Sequence, residues 1–144
     1  MVRVHGSSVA IDGQGILLRG PSGSGKSDLA LRLIDQGAIL VSDDQTELCR
    51  RGDRIEIRAP STIAGLIEVR GLGIVPVPHL PHASLCLIAD LAPQAAIERL
   101  PEPQSCDIEG VSVPVLSLYP FAASAAAKLR LALRAVPAGV PAAP

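Results

Sequence analysis

The stretch Gly20-Pro21-Ser22-Gly23-Ser24-Gly25-Lys26-Ser27 constrains this chain more than any other. It matches G-x-x-x-x-G-K-[ST], a loop whose glycines let successive backbone N–H groups turn inward on phosphate oxygens. The pattern carries meaning only between an apolar strand and a helix, and both neighbours are present. Ile16, Leu17 and Leu18 precede it, and Leu29, Leu31, Leu33 and Ile34 follow at near-helical spacing until Gly37. A helix is expected from Lys26 to Gln36, with the positive end of its dipole at the phosphates. In this reading the whole of Gly20 to Ser27 binds a nucleotide. Lys26 reaches its β and γ phosphates, and the Ser27 hydroxyl ligates Mg²⁺.

A metal site of this kind takes a carboxylate from the end of a second apolar strand. Two strands qualify: one runs through Leu40 and Val41 to Asp43 and Asp44, the other through Leu87 and Ile88 to Asp90. The first follows the loop's helix directly and offers two carboxylates, which repel unless their roles differ. One can serve the metal while its neighbour takes a proton from an attacking hydroxyl. Asp43 ends the strand first and is the expected base. Successive strand positions face opposite ways, so only one of the two need face the phosphates. Asp90, followed by Leu91-Ala92-Pro93, reads better as a turn residue.

The rest of the chain alternates short strands with turn signals. Hairpins are expected around Asp12-Gly13, around Gly52-Asp53 and around Glu109-Gly110, with Pro114 marking an edge strand. A short helix capped by Ser61 is expected over residues 61–66. A strand over residues 67–75 should run into a proline-broken loop, and residues 93–100 should form a short helix or turn. An alanine-rich helix follows Pro120, its basic residues late, where they suit the dipole. Residues 1–136 make one domain, and residues 137–144 a disordered tail.

Composition narrows the function. The net charge is -1 and the 11 arginines are scattered, so no nucleic-acid surface is expected. Aromatic residues are 1% of the chain, too few for the row of platforms on which a single strand stacks. Cys49, Cys86 and Cys106 are far apart, which suits reduced thiols in the cytoplasm better than disulfides or zinc. No leader-like apolar segment opens the sequence and no window approaches a membrane span, so no membrane partner is expected.

Read together, His5-Gly6, the phosphate loop, Leu40-Val41-Ser42-Asp43-Asp44 and Glu68-Val69-Arg70-Gly71-Leu72-Gly73-Ile74 resemble the HPr kinase/phosphorylase family in its C-terminal catalytic domain, in a short form. The last stretch is similar to the family's signature. The resemblance implies an α/β fold: a P-loop-containing, phosphoenolpyruvate-carboxykinase-like mixed sheet with flanking helices. It implies a serine kinase that uses ATP and Mg²⁺ on an HPr-like phosphocarrier protein and can also act as a phosphorylase. It places His5, Lys26, Asp43, Asp44 and Arg70 in catalysis and makes Glu68 a metal ligand beside Ser27. It also implies a homo-oligomer, a hexamer in the family. One departure stands out: the family's arginine- and asparagine-bearing stretch, linked to phosphorolysis, has no counterpart arginine in residues 116–129. The alternative reading is a non-catalytic ATP-binding regulatory module.

Overall fold

The computed structural model describes residues 1–135. Their elements run β1 (Val2–Ile11), β2 (Gln14–Arg19), α1 (Lys26–Asp35), β3 (Ile39–Ser42), β4 (Gln45–Arg51), β5 (Arg54–Arg58), β6 (Leu66–Val69), β7 (Gly73–Pro76), β8 (Ala83–Leu91), β9 (Gln104–Ile108), β10 (Val111–Leu118) and α2 (Ala125–Arg134). The expected tail from residue 137 lies outside the described residues.

Tight turns set the registers. Asp12 and Gly13 between β1 and β2 both have positive φ, 50° and 79°, as do Glu109 and Gly110 between β9 and β10, 49° and 86°. Two consecutive left-handed residues are what a type I′ hairpin needs, and its twist matches that of the strands. Strand β1 then pairs antiparallel with β2, β3 and β4, β4 with β5, and β5 with β8. Strand β8 returns to β2 in parallel, so β1, β2, β8, β5 and β4 close a ring. Strands β10 and β9 extend the sheet beyond β8.

Alternation divides the apolar residues between two cores. Leu17, Leu48, Ile55, Ile57 and Ile88 pack in a core made by strands alone. Ile16, Leu18, Leu87 and Ala89 join Leu29 and Leu33 of α1 and Leu129 and Leu133 of α2. Both helices therefore cover one face of the sheet. Leu85 and Ile88 share the strand core despite odd spacing, because the β2–β8 register shifts opposite Gly15–Ile16 and leaves Cys86 as an extra residue.

Three local expectations change. Residues 61–65 form successive turns, closed by hydrogen bonds from Ile63 N–H to Pro60 O and from Leu66 N–H to Ile63 O, rather than a helix. Gly65 has φ 75°, which stops any helix before it gains a full turn. The stretch after it is a hairpin, β6 and β7, not a strand fading into a loop; Gly71 and Gly73 make its turn at φ 91° and 101°. Pro114 lies in a strand that pairs on both sides. It is tolerated because β8 joins β10 only from Val115, so at Pro114 the sole partner strand is β9.

Candidate active site

The loop leaves β2 at Gly20 and enters α1 through Gly25, whose φ is 101°. No side chain caps the helix, so no side-chain acceptor takes its first N–H groups, the arrangement that receives an anion. Within the loop Ser24 Oγ is buried and unpartnered among the described residues. Lys26 is buried and folds back, donating to Gly20 O at 2.7 Å and Pro21 O at 2.9 Å. Burial pushes its ammonium below the ordinary lysine range, against the pull of the Asp44 and Asp43 carboxylates.

Strand β3 delivers the aspartates beside this loop, and the two have opposite surroundings. Asp43 is 5% exposed. Its Oδ1 accepts from Ser27 Oγ at 2.8 Å and Ser7 Oγ at 2.9 Å, and its Oδ2 accepts the Glu68 N–H at 2.9 Å. Asp44 turns the other way on a left-handed backbone, φ 67°, and its side chain is 62% exposed. It meets His5 Nε2 at 2.7 Å. Asn and Asp accept that backbone more readily than other residues with a Cβ. Ser7 Oγ also accepts the Asp44 N–H at 3.1 Å, and the Gly6 N–H donates to Asp44 O at 2.8 Å, so β1 grips both aspartates.

Small residues on β1 permit this grip. A Cβ at Gly6 would lie 2.7 Å from Leu18 O, so only glycine lets β1 sit this close to β2 just after His5. Ser7 was invisible to motif reading, although period two puts it on the same side of β1 as His5. Deeper, Thr46 Oγ1 donates to Gly6 O at 2.9 Å and lies 3.0 Å from Ser8 Oγ, tying β4 to the same spot.

Glu68 arrives on β6. Its backbone touches Asp43, and its carboxylate is exposed with no bond among the described residues. Arg70 lies just past β6 in the hairpin turn, exposed and without an ion pair or hydrogen bond among the described residues. The site thus gathers Gly20 to Ser27, His5, Asp43, Asp44 and the Glu68 backbone through direct bonds, while no bond among the described residues ties Arg70 to it. Hydroxyl and carboxylate oxygens of Ser27, Asp43 and Glu68 are hard donors, the set that suits Mg²⁺. Asp90 lies inside β8 rather than in a turn, since β8 keeps its partners through Leu91. Both its oxygens are taken by Arg19, at 2.7 and 2.9 Å.

A sequence profile of the HPr Serine kinase C-terminal domain matches residues 1–119. The chain belongs to this family. Among family relatives, the HPr kinase/phosphorylase of Burkholderia lata is 37% identical over 126 residues, covering 80% of this chain and 39% of its own length. That of Mycoplasmopsis pulmonis is 45% identical over 76 residues, covering 53% of this chain and 25% of its own. The chain therefore spans about two fifths or less of these relatives. A solved structure of the Hpr(Ser) kinase/phosphatase from Coxiella burnetii superposes with a TM-score of 0.82 at 25% identity, over 93% of this chain and 95% of that one. The mixed α/β fold is thus that of an HPr kinase domain. No helix among the described residues is long and apolar enough to cross a membrane.

Proposed function

We propose that this chain is the catalytic unit of an ATP-dependent serine kinase that phosphorylates an HPr-like phosphocarrier protein. The observation that carries this reading is the split of the aspartate pair. Asp43 is buried and held in place beside Ser27 by three neutral donors. Asp44 is open to solvent and shares a hydrogen bond with His5. We assign the base to Asp44, reversing the expectation from strand order, because only its carboxylate is free to meet an incoming hydroxyl. Asp44 takes the serine proton as the serine oxygen attacks the γ-phosphorus and ADP departs; His5 orients the carboxylate.

Ser27, Asp43 and Glu68 would hold Mg²⁺, which supplies positive charge against that building on the phosphate oxygens. Lys26 exchanges the Gly20 and Pro21 carbonyls for phosphate oxygens, and the uncapped start of α1 takes the rest. Arg70, two residues after Glu68, would meet the transferring group. A protein substrate fits the surroundings: Ile74 pairs directly with Glu68 across the hairpin, and Ile74 and Leu72 of that hairpin are exposed apolar side chains. The reverse, phosphorylase direction would use the same Asp44 as proton donor. Within this reading the P-loop fold is phosphoenolpyruvate-carboxykinase-like, and the protein works in the cytoplasm as a homo-oligomer, a hexamer by family.

Purified protein incubated with Mg²⁺, γ-labelled ATP and an HPr protein should place label on a serine. ATP bound but no label transferred would overturn the kinase reading in favour of a regulatory ATP-binding module.

A further inference from the structure

The chain has one tyrosine, one phenylalanine and no tryptophan, and the fold puts both aromatic rings at the phosphate loop. Strands β2, β8 and β10 run parallel to one another, so their C-terminal ends share one edge of the sheet. The loop leaves β2 at that edge, and Tyr119-Pro120-Phe121 leaves β10 there. Ligands of sheets with parallel strands gather at this edge.

The two segments are in contact. A Cβ at Gly25 would lie 2.9 Å from Phe121 Cζ, 3.2 Å from its Cε1 and 3.3 Å from Pro120 Cγ. The ring is thus seated against the loop backbone one residue before Lys26. It is also held in place: Arg32 of α1 donates to Pro120 O, and Tyr119 meets Phe121 edge-on, centroids 5.8 Å apart at 75°. Yet Phe121 is 57% exposed. A ring fixed on two sides and open on another, beside a nucleotide-binding loop, has the form of a stacking platform.

We propose that Phe121, backed by Tyr119, stacks on the base of the nucleotide whose phosphates Gly20 to Ser27 hold; this rests on the nucleotide reading above. Two aromatic residues cannot track a nucleic-acid strand, but they suffice for one base. Every base has a π face, so a platform of this kind tolerates different bases and favours the larger purines.

Binding of Mg-ATP and of magnesium with inorganic triphosphate, measured on the wild type and on Phe121→Leu and Phe121→Trp, separates the possibilities. Leucine keeps an apolar cover over Gly25 but cannot stack. Phe121→Leu should weaken ATP roughly tenfold and leave triphosphate unchanged, while Phe121→Trp retains ATP. The introduced tryptophan, the sole one in the chain, should change its emission with ATP and not with triphosphate. Equal ATP affinity in the wild type and Phe121→Leu, with triphosphate bound by both, overturns the stacking role alone. Parallel loss of ATP and triphosphate in Phe121→Leu assigns Phe121 to loop packing and also overturns it. A wild type that binds neither probe overturns the nucleotide reading, and the stacking proposal with it.

Discussion

Strands β3 and β8 look alike in sequence: each is an aliphatic run with an aspartate near its C-terminal end, Asp43 just past β3 and Asp90 one residue before the end of β8. Their carboxylates nevertheless meet different donors, and the donors set what each can do. Asp90 near the end of β8 is held by both arms of the Arg19 guanidinium, from the end of β2. That cation neutralises it, and the Asp90 hydrogen bond in turn raises the Arg19 pKa against the effect of burial. Asp43 just past β3 meets two hydroxyls and a backbone N–H, neutral donors that bring no positive charge and leave part of its acceptor capacity open. A carboxylate held by neutral donors can still serve a cation; one held by arginine cannot. Partner charge, not position at a strand end, separates the two carboxylates.

The sharpest break of this comparison is at the open carboxylate. Asp44→Asn should lower serine transfer by roughly 100-fold to 10,000-fold, the range for loss of a general base, while ATP affinity and the denaturation midpoint hardly change. If transfer survives, and Asp43→Asn abolishes it with stability intact, the roles of the pair are reversed. Next in size is Asp43→Ala. It leaves Ser7, Ser27 and the Glu68 N–H without their acceptor, and should cost about 2 kcal/mol of stability by chemical denaturation. Asp90→Asn should cost less, about 1 kcal/mol after allowance for a pair that is a third or more exposed, and should not slow transfer. A double-mutant cycle with Arg19→Gln isolates that pair. A transfer defect in Asp90→Asn would mean that β8, too, feeds the site.

Much of this was legible in the sequence because it is local. The phosphate loop, α1 and the hairpins at Asp12-Gly13 and Glu109-Gly110 rest on spacing and turn chemistry. Adjacency of Asp43 and Asp44 to the loop follows from β3 succeeding α1. What was not legible depends on contacts between distant segments. Ser7 reaches Asp43 across 36 positions, Arg19 reaches Asp90 across 71, and Phe121 meets Gly25 only because β10 lies parallel to β8. The burial of Asp43 is likewise a tertiary property, and the left-handed backbone at Asp44 is what turns the second carboxylate outward. The turns at 61–65 were misread for a local reason: a serine after proline resembles a helix cap, and Gly65 outweighs it.

The smallest effect concerns the cations that face the two carboxylate ends. Arg19 stays charged at any working pH, whereas burial lowers the Lys26 pKa from its ordinary 10.5 despite Asp44 and Asp43 nearby. Well below the folded-state pKa, Lys26 is protonated in both folded and unfolded chains, and its desolvation weighs fully against folding. As pH rises through the lowered value toward 10.5, the folded chain loses that proton first, so the unfolded state binds more protons and stability rises. Lys26→Met has no such proton. The stability of the wild type relative to Lys26→Met, from denaturant melts without nucleotide between neutral pH and pH 10, should therefore climb with pH. A flat difference would show that the fold does not desolvate this lysine. A falling one would show that the carboxylates outweigh burial, making the β3 end a neutralised pair like the one at β8.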